Sequence, residues 1–198
     1  MTDLYSVEAE HTKDIEVWCG VDEAGRGPLA GPVFAAAVVL PHGYIPEGLD
    51  DSKKLTEKRR DVLYNEIIRN AVSYGIASAS EAEIDELNIL NATFLAMNRA
   101  ISQLNVIPER ILVDGNRAGG VNGPCVCIVG GDGKCASIAA ASVLAKVSRD
   151  RYLYCLAEKY PQYRFEQHKG YPTRLHYEML RLYGPSPVHR KTFLRKLH

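Results

Sequence analysis

Gly20-Val21-Asp22-Glu23-Ala24-Gly25-Arg26-Gly27-Pro28-Leu29-Ala30-Gly31-Pro32 joins two apolar runs, and its reading decides the fold. Before it, Ile15 to Val21 is interrupted only by Glu16 and predicts a strand. After it, Val33 to Leu40 predicts a second strand, buried on both faces because it does not alternate, and Pro41-His42-Gly43 ends it. Two adjacent carboxylates close the first strand and a Gly-Arg-Gly turn follows at once. Acids beside flexible backbone suit a divalent cation held next to a phosphate. Glycines let N–H groups approach an anion, and Arg26 offers it two donors. An acidic strand end entering a hairpin turn is the plainer reading of the same residues.

Two further predicted strands end in the same way. Arg110–Val113 delivers Asp114, and Val126–Val129 is followed by two glycines and Asp132. Neighbouring strands lie only ~5 Å apart, so acids at their ends can converge. Asp22, Glu23, Asp114 and Asp132 make a hard, all-oxygen set suited to Mg²⁺ or Mn²⁺, and two such ions suit hydrolysis of a phosphodiester. Adjacent strand residues point to opposite faces, so Asp22 and Glu23 share one site only if the strand bends there.

Helices are predicted over Thr56–Ala71 with Thr56 as cap, from Ser80 to Leu87, over Asn88–Leu104, and over the alanine-rich Ser137–Lys159 that Pro161 closes. Val72–Ala79 reads as a strand, and shorter helices follow around Thr173–Tyr183 and His189–Leu197. The order β-β-α-β-α-α-β-β-α predicts an α/β fold, a mixed sheet with helices on both faces. A catalytic domain over residues 1–160 would then carry a basic helical extension over 161–198 packed on it.

The 198 residues suit one domain able to bury roughly 70% of its unfolded surface, so no staple is needed. No apolar run approaches the ~20 residues of a membrane span, and the N-terminus, with Asp3, Glu8 and Glu10, lacks signal-peptide features. The cysteines number five and form no Cys-x-x-Cys pair, which predicts reduced thiols and a cytoplasmic protein. Cys125 and Cys127 share a strand face and are expected to be buried. Residues 1–145 carry 12 basic and 20 acidic side chains, residues 146–198 carry 12 and 4. Seven aromatics, from Tyr160 to Phe193, interleave with the basic quarter. A negative polymer against that quarter, with cations neutralising the acids, accounts for both halves. No exposed apolar stripe stands out, so a monomer is expected.

Rival motifs fail on context. Gly25 to Ala30 matches G-x-G-x-x-A, but a helix must follow, and Pro32 with the β-branched run predicts a strand. Gly133-Lys134 lacks the first glycine of a phosphate loop, since Ile128 stands there. There is no Gly-x-Ser-x-Gly elbow and no His-x-x-x-His pair; His168, His176 and His189 lie in the basic quarter, where packing or phosphate contact is expected.

The motifs together resemble type 2 ribonuclease H, the ribonuclease HII family. The resemblance runs from Gly20–Val33 through Asp51-Ser52-Lys53-Lys54-Leu55, Asn88–Thr93, Val113-Asp114-Gly115-Asn116 and Ser137–Asp150. Lys169-Gly170-Tyr171-Pro172-Thr173, His176 and His189-Arg190 complete it. It implies a ribonuclease H-like fold, a five-stranded mixed sheet flanked by helices with a C-terminal helical extension. It maps the family's four metal-binding acids onto Asp22, Glu23, Asp114 and Asp132. It also implies cleavage of RNA in RNA/DNA hybrids and on the 5′ side of single ribonucleotides embedded in duplex DNA, leaving 3′-hydroxyl and 5′-phosphate ends. Gly25, Arg26 and Gly27 resemble the loop that reads the 2′-hydroxyl, and Tyr171 the tyrosine that stacks on the DNA-side sugar. Lys53, Ser142, Lys146, Arg149, Lys169 and Arg190 are further expected substrate contacts; Ser142, Lys146 and Arg149 share a helix face by spacing. About fourteen residues precede the first strand, which disfavours the related ribonuclease HIII with its extra N-terminal domain. No segment identifies a recruiting partner such as a replication clamp.

Overall fold

The computed structural model describes residue 4 and residues 6–194. In chain order its elements are α1 (Ser6–Thr12), β1 (Trp18–Ala24), β2 (Val33–Val39), α2 (Glu57–Asn70), β3 (Ser73–Ala79), α3 (Glu81–Leu87) and α4 (Ile89–Ile101). They continue as β4 (Arg110–Asp114), β5 (Cys125–Ile128), α5 (Ala136–Lys159), α6 (Phe165–His168), α7 (Arg174–Tyr183) and α8 (Lys191–Leu194). The strands form one mixed sheet in the order β3-β2-β1-β4-β5, antiparallel from β3 to β1 and parallel from β1 to β5.

Alternation assigns the two faces of the sheet. Cys19, Val21, Ala35, Ala37, Ile111 and Val113 pack against Phe94, Ala96, Met97 and Ala100 of α4. Ala36 and Val38 face the other way, onto Leu63 and Ile67 of α2 and the small side chains Ala139, Ala140 and Val143 of α5. The alanine content of α5 lets it lie close on the sheet, and closest at Gly20. A Cβ on Gly20 would sit 2.1 Å from the Ser137 carbonyl carbon.

Local caps match the sequence at α2, where Thr56 accepts from the Arg59 N–H, and at α3, where Ser80 and Glu83 form a reciprocal box. The N-terminus of α5 has no local side-chain cap. Glu8 of α1 supplies one from a distance, accepting from the N–H groups of Ala136 at 2.6 Å and Ser137 at 3.3 Å. Its other oxygen accepts from the Trp18 indole at 2.7 Å.

Residues 161–194 pack on α5 through Tyr163, Phe165 and Leu180 against Leu153 and Leu156, with Leu29 and Ala30 in the same cluster. Within it the histidines form an ordered chain. The Ser186 N–H donates to Nδ1 of His189 (2.9 Å), which leaves the His189 proton on Nε2, pointing at Nε2 of His176 (3.0 Å). His176 must then carry its proton on Nδ1, donated to the Tyr171 carbonyl (3.0 Å). Every ring is neutral, and burial pushes His176 and His189 down to about 4.

Several boundaries differ from the sequence reading. β1 begins at Trp18 rather than Ile15, after a turn in which Asp14 takes a positive φ of 63°, and it runs through both acids to Ala24. The α1 and α6 helices were not predicted. The expected helix over His189–Leu197 reduces to α8, with His189 and Arg190 outside it; Leu197 lies outside the described residues. The expectation that Cys125 and Cys127 are buried is corrected: on edge strand β5 the first is half-buried and the second exposed. All five cysteines are free, as expected.

Two outcomes follow from this packing. Gly20→Ala drives a methyl into the α5 backbone and is expected to cost about 3 kcal/mol, lowering Tm by roughly 10 °C in calorimetry. The histidine chain makes the fold acid-sensitive. Between pH 6.5 and about 4 the unfolded rings bind protons that the folded His176 and His189 refuse, so stability is lost as pH falls through that window. The loss should amount to a few kcal/mol by urea denaturation, with His189→Gln flattening it.

Candidate active site

The parallel register of β1 and β4 pairs Gly20 with Leu112 and Val21 with Val113. One residue further on, Asp22 and Asp114 therefore emerge side by side, on the α5 face. A short 3₁₀ turn, Gly131–Gly133, runs into the start of α5 and carries Asp132. Oxygens of Asp22, Asp114 and Asp132 all lie within 4.8 Å of one another. Asp22 and Asp132 are buried and Asp114 is half-buried. Asp22 accepts from the Glu23 N–H at 2.7 Å, and Asp114 from the Gly131 N–H at 2.7 Å. Lys53 reaches Asp132 at 3.1 Å.

Glu23 follows the alternation and faces the other side of the sheet. With Arg26, Leu90, Phe94, Met97, Asp114 and Arg117 it lines a cavity of about 290 Å³ beside the three aspartates. Its carboxylate lies 3.5 Å from Arg26. The pleat thus splits the adjacent pair: Asp22 belongs to the tight triad, while Glu23 stands at the mouth and is electrostatically linked to Asp114.

Asp22, Glu23 and Asp114 all disfavour their own charge. Burial, then Glu23 and Asp114, hold the Asp22 carboxyl well above the usual carboxylate range. Burial raises Glu23, with Arg26 opposing and Asp114 adding to the shift. Burial and then Asp132 raise Asp114. Crowded, dehydrated carboxylates with no sulfur or imidazole among them fit hard divalent cations such as Mg²⁺ or Mn²⁺.

The expected substrate contacts divide into three groups. Arg26 and Gly27 are exposed, and Tyr171 stands beside them, its ring 3.8 Å from where a Gly27 Cβ would be. Lys53 is exposed at the acids, Lys146 pairs with Asp150 at 2.8 Å, and Lys169 lies over the Tyr154 ring at 3.8 Å. Ser142, Arg149 and Arg190 are corrected, because all three are buried and present no group to a polyanion. Ser142 bonds Ser52 at 2.8 Å and Asp22, so it braces the acid from behind. Arg149 and Arg190 donate to backbone carbonyls between Gly25 and Pro32. The sequence reading missed Arg117 at the cavity. Its signal was present: Asp114 is followed three residues later by arginine, as Glu23 is by Arg26.

The ribonuclease HII family profile matches residues 19–197. A ribonuclease HII from a Janthinobacterium species is 57% identical over 180 residues, covering 91% of this chain and 86% of that one. Among solved structures, the ribonuclease H2 of Pyrococcus horikoshii is 29% identical with a TM-score of 0.74, over 89% of this chain and 93% of that one. The ribonuclease HII of Archaeoglobus fulgidus, solved in complex with PCNA, is 25% identical with a TM-score of 0.71, over 89% of this chain and 94% of that one.

Neutralising one member of the triad should stabilise the metal-free protein while weakening its hold on cations. Asp22→Asn is expected to gain roughly 1–2 kcal/mol without metal. Adding Mg²⁺ or Mn²⁺ should raise the melting temperature of the wild type, by about 2.7 kcal/mol at a hundredfold excess over Kd, and leave the variant nearly unmoved. Calorimetry with and without chelator reads both.

Proposed function

Since this chain belongs to the ribonuclease HII family of ribonuclease H endonucleases, we propose that it hydrolyses the RNA strand of RNA/DNA hybrids and cuts 5′ to single ribonucleotides in duplex DNA. The products carry 3′-hydroxyl and 5′-phosphate ends. The observation supporting this reading is the approach of oxygens from Asp22 and Asp114, at paired strand ends, and Asp132, on the turn before α5, to within 4.8 Å of one another.

Asp22, Glu23, Asp114 and Asp132 are the residues that would hold Mg²⁺ or Mn²⁺. Such ions, when bound, supply an activated water and stabilise the departing 3′-oxygen. The chain's own residues set everything else. Ser142 and the Glu23 N–H fix the Asp22 carboxylate, and the Gly131 N–H fixes Asp114. Lys53 offsets the charge of Asp132 and stands exposed where a phosphate would approach. The Arg26 side chain, whose one hydrogen-bond partner among the described residues is Glu23 at 3.5 Å, can turn toward the same phosphate. The exposed backbone of Arg26 and Gly27 reads the 2′-hydroxyl, the one group that separates RNA from DNA. Tyr171 stacks on the neighbouring sugar, where a second 2′-hydroxyl would clash. Lys146 and Lys169 lie in the basic quarter that tracks the duplex backbone.

We assign residues 161–198 to an extension on a catalytic body of residues 1–160, acting as a monomer in the cytoplasm. The five unpaired thiols support that compartment. Among the described residues no helix is long and apolar enough to cross a membrane.

A DNA duplex with one ribonucleotide should be cut and its all-DNA twin left intact, and chelator should abolish the cut. Cutting of both duplexes would identify a DNA nuclease instead, and binding without cutting a silent hybrid binder. Asp114→Asn should lower kcat on the order of a thousandfold at unchanged melting temperature or above. Tyr171→Ala should shrink the preference for the single-ribonucleotide junction over a uniform hybrid. Affinity should fall steeply between low and physiological salt.

A further inference from the structure

Arg190 is fully buried, its guanidinium lies over the Phe193 ring at 5.1 Å, and its hydrogen bonds go to backbone carbonyls. Nη2 donates to the Gly25 carbonyl at 2.6 Å, Nη1 to the Arg26 carbonyl at 2.9 Å, and Nε to the Gly31 carbonyl at 2.9 Å. Arg149 lies beside it and donates to Ala30 and Pro32, each at 3.3 Å. Gly25 has φ of 97°, and a Cβ on it would fall 2.0 Å from Nε of Arg149, so only glycine admits the second guanidinium here.

The forked grip has a geometric consequence. In a trans peptide the N–H points opposite to its carbonyl, and no peptide in the described chain is cis. With the carbonyls of Gly25 and Arg26 both turned inward onto one guanidinium, the N–H groups of Arg26 and Gly27 must both turn outward. Neither has a hydrogen-bond partner among the described residues, and both residues are exposed. A buried cation behind the two carbonyls also polarises these peptides and strengthens the outward donors. Tyr171 borders the same spot. A paired donor set of this size takes one oxygen.

We infer that Arg190 is a positioning residue for ribonucleotide selection: its fork aims the Arg26 and Gly27 N–H groups together at the 2′-hydroxyl oxygen of the substrate. This rests on the proposed cleavage at ribonucleotides and adds the device that would make the choice. A phosphate oxygen would suit two donors as well, so the test must separate the two.

Four single-turnover rates do so: wild type and Arg190→Lys, each on a duplex with one ribonucleotide and on its twin with a 2′-fluoro nucleotide at that position. Lysine keeps the charge but loses the fork. The variant should lose roughly tenfold or more on the ribonucleotide, the worth of a well-made hydrogen bond, and little on the fluoro twin. Equal losses on both duplexes would mean that Arg190 only supports the fold or aims at phosphate, and would overturn the inference. A wild type that cuts neither duplex would overturn the proposed activity and this inference with it. Should Arg190→Lys not fold, amide NMR of the wild type in chelator decides. The Arg26 and Gly27 amide protons should move downfield with the ribonucleotide duplex and not with all-DNA, and identical responses to both would refute the assignment.

Discussion

Everything at the catalytic end depends on two carboxylates that the sheet forces together. Parallel pairing of β1 with β4 leaves Asp22 and Asp114 no choice of neighbour, and the turn before α5 adds a third acid. Like charges at this spacing, partly cut off from water, oppose folding. The apolar layers on both sides of the sheet supply the opposing stability. Phe94, Met97 and the valines hold one face, and the alanines of α5 hold the other. The site is therefore a local strain carried by a global core, and a divalent cation is the simplest relief.

Much of this was legible in the chain because the signals are local. Apolar runs, the Thr56 and Ser80 caps, and an acid at the end of each of three strands need no knowledge of distant residues. The family resemblance added roles that spacing alone left open. What failed to show has the opposite character. The cap on α5 comes from Glu8, far upstream, so nothing near Ala136 announces it. Whether an arginine faces solvent or lies beneath a loop depends on packing, and the helical spacing of Ser142, Lys146 and Arg149 points to a shared face without saying which part of that face is covered. Ser142 and Arg149 are covered, while Lys146 is not. Cys127 carries the same lesson in reverse, since strand period does not reveal that β5 is an edge.

The division between Asp22 and Glu23 shows how one pleat serves two purposes. One residue faces α5 and joins the tight cluster; the next faces α4 and opens the neighbouring cavity with Arg26 and Arg117. A bend is not required to make both useful. A single strand end thereby borders two chemically different surfaces, one crowded with carboxyl groups, the other roomier and lined by Arg26 and Arg117.

The far separation of the loop from its anchor has a temporal side. A nascent polypeptide emerges from its N-terminus, so Gly25 and Arg26 leave the ribosome well before Arg190, which lies 165 residues after Gly25. The acids encoded by residues 22 to 132 are all present before that arginine exists. Until it arrives, the carbonyls of the Gly25–Arg26 segment lack their guanidinium partner, so the selective surface is finished only after Arg190 has been made.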